Sequence, residues 1–192
     1  MRVNETPGSN SEADHIREYQ QRRCPDAARC LLEPYEQPIY HFLRTMLHSK
    51  EDAEDATQRC FVKALNSLDD YTEQGRFKSW LYQIARTEAL MLLRKRKRRT
   101  EISLDDQRLD DMPIASEPSA YLEVEAKERA EALREAIEAL PDIEKEVVLL
   151  RLDAGITFRE ISALTEAPLN TVLGRMRNAT HRLQNILNPS QS

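Results

Sequence analysis

Wherever apolar residues are dense along this chain, they recur at three- and four-residue intervals, the spacing of amphipathic helices. Ala28, Leu31, Leu32 and Tyr35 share one face, and after Pro38 the set Ile39, Phe42, Leu43, Met46 and Leu47 forms the next. Ser49 and Asp52 have capping-box spacing, and behind them Ala53, Ala56, Cys60, Phe61, Ala64 and Leu65 continue the stripe to about Leu68. The opposite face of that helix carries Glu54, Asp55, Gln58 and Arg59, with acids in the first turns where the helix dipole favours them. Asp69 to Lys78 break the period around Gly75. Ser79 to Arg96 resume it, with Trp80, Leu81, Ile84, Ala85 and Leu92 inward.

After this block the pattern stops. Residues 100–119 hold Pro113, Pro118 and few apolar residues, which predicts a linker. A second helical block runs from about Ala120 to Leu187. Its first helix places Leu122, Ala126, Ala130, Leu133, Ile137 and Leu140 inward and ends at Pro141. A helix capped by Asp142 follows, with Val147, Val148, Leu150 and Leu152 as its apolar face, closing near Gly155. The expected organisation is a tail over 1–13, a helical domain over 14–99, a linker over 100–119 and a second helical domain over 120–192. The fold class is all-α: two small helical domains joined by a flexible acidic linker, the second a helix-turn-helix domain. With 4 Gly, 6% aromatic residues and 32% charged residues, a β sandwich or barrel is disfavoured.

The helix-turn-helix follows from local signals. Thr157 and Glu160 form a capping box, and Phe158, Ile161 and Leu164 turn inward behind it. Pro168 interrupts the pattern, and from Asn170 or Thr171 a last helix aligns Val172, Met176, Ala179, Leu183 and Ile186. Its other face offers Asn170, Thr171, Gly174, Arg175, Arg177, Asn178, His181 and Arg182, with no acid as far as Leu187. Such a helix suits the major groove, its cations holding phosphates and its amino-terminal residues meeting base edges. A structural bundle with a solvated basic face is the plainer alternative.

Charge sharpens the picture. The formal net charge is −5. Between Thr100 and Ser119, six acids (Glu101, Asp105, Asp106, Asp110, Asp111 and Glu117) face one base, Arg108, so the rest of the chain is neutral overall. Immediately before that stretch, Arg94-Lys95-Arg96-Lys97-Arg98-Arg99 places six cations in a row. Segregated charge of this kind suits a nucleic-acid binder despite the acidic sum.

No apolar run approaches the roughly 18 residues of a membrane span, and the chain start lacks a signal peptide's features, so no membrane insertion and a cytoplasmic location are expected. Cys24, Cys30 and Cys60 are then free thiols by default. His15, Cys24 and Cys30 match no zinc spacing, so no metal and no cofactor are expected. No phosphate-binding Gly loop or nucleophile-and-base arrangement occurs, and His15, His41, His48 and His181 lie far apart; the reading is not an enzyme, with no catalytic residues.

The loop before the basic run combines Tyr71, Phe77 and Trp80 with Gln74, Arg76 and Lys78. Aromatic faces stack on unpaired bases for about 1–3 kcal/mol each while cations hold the backbone. Packing of Phe77 and Trp80 into the core is the competing expectation.

The run Asp52-Ala53-Glu54-Asp55-Ala56-Thr57-Gln58-Arg59-Cys60-Phe61, the run Gly75 to Arg86, and Leu140-Pro141 followed by the helix-turn-helix together resemble extracytoplasmic-function sigma factors of bacterial RNA polymerase. The likeness spans about Asp26 to Leu187. It implies a polymerase subunit without catalysis, whose partners are core RNA polymerase (the clamp coiled coil of β′, and β), promoter DNA and commonly an anti-sigma factor. Glu54, Asp55 and Gln58 would dock on the clamp. Tyr71 to Lys78 would capture a flipped base of the minus-ten element, with Trp80, Arg86, Arg94 and Lys95 along the same DNA. Asn170 to Arg182 would read the minus-thirty-five element, and the acidic linker would follow the RNA path. Cys60, on the docking helix, would make docking sensitive to oxidation.

The chain departs from the family at Thr87, where Asn is usual, and at Met91, where Asp is usual. In the last helix Leu173 and Gly174 replace a cation and a serine. Two rival functions remain: a stand-alone helix-turn-helix regulator on a palindromic site, and a sigma-like decoy that binds polymerase without opening promoters.

Overall fold

The computed structural model describes residues 11–102 and 121–188, with side chains placed for 11–98 and 130–188. Every regular element among the described residues is helical. The first domain contains α1 (Glu12–Arg22), α2 (Pro25–Leu32), a 3-10 turn (Glu33–Tyr35), α3 (Glu36–Leu47), α4 (Lys50–Ser67) and α5 (Phe77–Ile102). The second contains α6 (Tyr121–Glu138), α7 (Asp142–Val148), a π-helical turn (Leu149–Asp153), α8 (Phe158–Thr165) and α9 (Leu169–Leu187). Most of the linker expected over 100–119 lies outside the described residues.

The apolar stripes of α2 and α3 pack as their period demands: Leu31, Ile39, Phe42, Leu43 and Leu47 are all at most 2% exposed. Ala53, Ala56, Cys60 and Ala64 of α4 are as deeply buried, small residues that let α4 approach α3 and α5 closely. Cys60 is fully buried, and its thiol is pushed up to about 12 by burial first and by Glu88 second. A protonated, inaccessible thiol is unreactive, which removes the oxidation-sensitive docking expected at this position.

Several boundaries differ from expectation. α1 begins at Glu12, inside the stretch expected to be a tail, because Ser11 donates from both its N–H and its hydroxyl to Asp14 and Ile16 is 1% exposed. A single buried isoleucine in a polar stretch is too weak a periodic signal to read. α5 runs to Ile102, past the expected domain end at 99.

At α4, Ser49 accepts from the Asp52 N–H, but the Asp52 carboxylate turns to Arg96 of α5. The capping box is therefore half made, its acid used to tie two helices together. Thr157 and Glu160 complete theirs: the Glu160 carboxylate accepts from the Thr157 N–H at 3.0 Å.

In the second domain, one α-helix was expected to continue towards Gly155. Instead the chain widens into a π turn after Val148, closed by the Ala154 N–H to the Leu149 carbonyl at 3.1 Å. The inserted residue shifts the register, leaving Leu149 and Leu150 inward and Leu152 58% exposed. Leu133 and Ile186, expected inside, are 40% and 47% exposed, and Ala136 fills the α6 position instead. α9 starts at Leu169 behind Pro168, one residue before the expected start.

The two helical domains also pack against each other. α3 packs on α7 and the π turn, and α5 packs on α8. Leu149, Leu150, Ile156 and Ile161 join one continuous apolar core with Phe42, Leu47 and Leu81.

Candidate nucleic-acid and polymerase interface

Three surfaces follow from this packing. On α4, burial of the alanine face leaves Glu54, Asp55 and Gln58 exposed together. Glu54 lies 3.9 Å from Lys50 and Asp55 3.8 Å from Arg59, long and exposed pairs that leave both carboxylates open to a partner.

The second surface is the loop and the start of α5. Gly75 takes φ +70°, a left-handed conformation that turns the loop. Gln74, Arg76 and Lys78 are exposed around the turn. Phe77 is not available to a base. It is 1% exposed, with Tyr35 and Tyr71 edge-on to it at 5.7 Å each and Trp80 at 5.5 Å. The expectation of Phe77 as a DNA contact is corrected: as the first apolar residue of α5 it falls on the inward stripe. Tyr71 and Trp80 are half-buried, with rings 4.8 Å apart.

A strap holds this loop. Gln20 of α1 donates from its amide to the Leu68 carbonyl at 2.8 Å and the Tyr71 carbonyl at 2.7 Å, and Arg23 pairs with Asp69. Nothing in the local sequence marks Gln20; only the tertiary fold brings it 51 residues along the chain.

Beside Trp80 a cavity of about 380 Å³ opens between α4 and α5, lined by Lys63, Ser67, Gln83, Ile84, Thr87 and Glu88. Glu88 is 1% exposed, and its carboxylate is held by Lys63 at 2.5 Å and by Arg59 at 3.3 Å. These lining residues were absent from the expected site. One signal was legible: Glu88 occupies the inward register with Leu81, Ala85 and Leu92, where a carboxylate requires buried partners.

Further along α5 the expected contacts divide. Arg94 and Lys95 are exposed at the basic end. Arg86 is turned towards the second domain, its Nε 2.5 Å from Glu146 Oε1.

The third surface is α9. Val172 and Ala179 bury fully, which leaves Asn170, Thr171, Arg177, Asn178, His181 and Arg182 exposed, with Gly174 and Arg175 partly covered. Arg182 lies 3.0 Å from Glu144 of α7. A Cβ added at Gly174 meets no atom of the chain within 4 Å, so the protein itself does not require glycine there. Among the described residues no cluster of His, Cys, Asp or Glu is placed to hold a metal ion, and no helix is long and apolar enough to cross a membrane.

Comparison with known proteins assigns these domains. Residues 31–99 match the Sigma-70 region 2 family and residues 130–179 the Sigma-70 region 4 family. The RNA polymerase sigma-H factor of Pseudomonas aeruginosa is 29% identical over 83% of this chain and 85% of its own length. The RNA polymerase sigma factor YlaC of Bacillus subtilis is 30% identical over 79% of this chain and 88% of its own. Among solved structures, the sigma factor RpoE of Bartonella quintana, in complex with the anti-sigma factor NepR, shares the fold. Its TM-score is 0.69 at 22% identity, covering 83% of this chain and 96% of that one. The two matched regions, in this order on this helical scaffold, place the chain among the extracytoplasmic-function sigma factors, which act in transcription initiation by RNA polymerase.

Proposed function

We propose that this sigma factor recruits core polymerase through the exposed Glu54, Asp55 and Gln58 face of α4 and places two promoter elements on two surfaces. The minus-ten element runs along the start of α5, and the minus-thirty-five element lies under α9. The observation that carries the first assignment is the cavity beside Trp80. At about 380 Å³ it falls near the small end of the roughly 300–1,000 Å³ of ligand pockets. It has an aromatic wall for stacking and a polar floor at Thr87 and Glu88 for a base edge. An extruded base requires such a pocket, because unstacking costs a few kcal/mol that the protein must return. Arg94 and Lys95 on the same helix supply cations for the backbone, as do Arg76 and Lys78 at its start.

For α9, the exposed Asn170, Thr171 and Asn178 with the partly covered Gly174 and Arg175 support base contact near the helix start. Arg177, His181 and Arg182 support phosphate contact behind it. Because Gly174 is uncrowded within the chain, a close backbone approach by DNA accounts for it. An anti-sigma factor is a reasonable further partner, since RpoE of Bartonella quintana was solved bound to one.

The test is retention of a promoter library by the purified chain with and without core polymerase, followed by sequencing of the retained DNA. Retention only with core, enriched in two short motifs at fixed spacing, is expected. Palindromic retention without core would overturn the reading in favour of an ordinary regulator. Core binding without enrichment would favour a decoy.

A further inference from the structure

The outward row of α9 holds a side chain that its polar neighbours do not explain. Leu173 is 42% exposed in the second turn of the helix, and Leu169, one turn before it, is 36% exposed. Neither belongs to the stripe that packs inward, which runs through Val172, Met176, Ala179 and Leu183. A single exposed leucine is ordinary on a protein surface. Two of them, one turn apart at the start of a helix whose outward row is otherwise polar, form an apolar strip in the part of α9 that would enter a groove first. Asn170 and Arg177 stand three residues before and four after Leu173, so the helical period puts an amide, a leucine and a guanidinium on one side of the helix.

Charge and groove chemistry identify what covers the leucine. From Leu169 to Leu187 the helix carries Arg175, Arg177 and Arg182 and no acid, so the surface around Leu173 favours a polyanion. Leucine offers a phosphate neither charge nor hydrogen bond. Among the base edges of the major groove, the apolar group is the ring methyl of thymine, which takes apolar contacts from protein side chains. Gly174, adjacent to Leu173, has no Cβ, and one built there would meet no atom of the chain within 4 Å. The backbone can therefore approach the base edges closely at this point, and it brings Leu173 with it.

We infer that Leu173 is a specificity-determining residue of α9, its side chain packing on the ring methyl of a thymine in the minus-thirty-five element while Asn170 and Arg177 fix the register on either side. The inference rests on the reading of α9 as the minus-thirty-five surface, and adds the base that one position of that element must hold. Rejection works together with attraction. Over a cytosine, the same side chain would cover the exocyclic amino group, and over a purine a ring nitrogen; each would lose water without gaining a partner.

The test uses the full chain bound to core polymerase and the duplex motif recovered by library selection, with each thymine replaced in turn by uracil. That exchange removes one methyl group and leaves the hydrogen bonds of the base pair in place. Affinity is expected to fall roughly fourfold at one thymine, the worth of burying one methyl group. Leu173→Gln should bind the thymine and uracil duplexes equally. Glutamine matches leucine in helix propensity, and the position is exposed, so the variant keeps its fold. If no thymine responds to loss of its methyl, the inference is overturned, and the minus-thirty-five reading of α9 still stands on the selected motif. A loss as large in Leu173→Gln as in the parent means that another residue reads the methyl, and the inference falls. Weaker binding of Leu173→Gln to core polymerase without DNA would place the leucine against the polymerase, and the inference falls there too. The underlying reading is checked apart from Leu173, with Thr171→Ala and Asn178→Ala in the same selection. A motif unchanged by both would remove α9 from the minus-thirty-five element and the inference with it.

Discussion

Helices α5 and α9 use the same device, an apolar stripe inward and cations outward, yet the structure treats them differently. On α9 most of the outward row is exposed, and the partners of Arg182 and His181, Glu144 and Asn185, belong to its own domain. On α5 the row is split: Arg94 and Lys95 face solvent while Arg86 and Ser79 are occupied by carboxylates of the other domain. Residue type and helical face are equivalent in the two cases. What differs is whether a second layer of protein lies over the face, and that is a property of packing.

The largest test of this contrast concerns Phe77. As a core residue packed among Tyr35, Tyr71 and Trp80, its replacement by Ala should lower the unfolding free energy by about 3–5 kcal/mol in denaturant titration. A loop residue that only stacked on DNA would leave stability within roughly 0.5 kcal/mol and change promoter opening alone. Smaller in effect is Arg175→Ala on α9. Holoenzyme affinity for a minus-thirty-five duplex should fall by about 1–3 kcal/mol if Arg175 reads a base. If it holds a phosphate instead, affinity drops evenly across sequences and the salt slope of binding decreases by about 1. The stability of the isolated chain should be nearly unchanged in both cases.

The smallest expected effect is a pH dependence of domain docking. His48 is held below its ordinary 6.5 by burial first and by the Lys145 charge second. Arg44 adds to this, while Asp142 and Glu138 oppose it. Lys145 is lowered in the same way by burial. The separated form therefore binds more protons than the docked form as pH falls below 6.5. The His48 contribution to docking should be complete above that value and weaken as pH falls through it towards the lower value of the docked state. Scattering between pH 7.5 and pH 5 checks the sign, and His48→Gln should flatten the profile; these pH settings are about the range over which an unperturbed imidazole titrates.

Much of the fold was legible before any coordinates. The stripes of α2 and α3 pack at the positions their period assigns. The Thr157–Glu160 capping box closes as its spacing predicts, and the exposed row of α9 is the row its apolar face leaves over. These agree because each rests on neighbours three or four residues apart. The misreadings have a common cause. Leu152 turns outward because a π turn adds one residue to the register, and Asp52 abandons its cap because Arg96 arrives from another helix. Phe77 satisfied two rules at once, a loop aromatic and a first inward residue, and burial decided between them.

The sequence by itself therefore determined most of the helices after α1, the inward faces of α2 and α3, the charge segregation and the family, since these depend on local periodicity and on ordered motifs. Tertiary structure alone decided the cavity between α4 and α5, the hold of Gln20 on the loop, and the crossing of Glu146 and Glu160 to α5. Each of these joins side chains from separate helices. The free energy that selects such partners, desolvation against pairing, exists only once the helices have packed and excluded water.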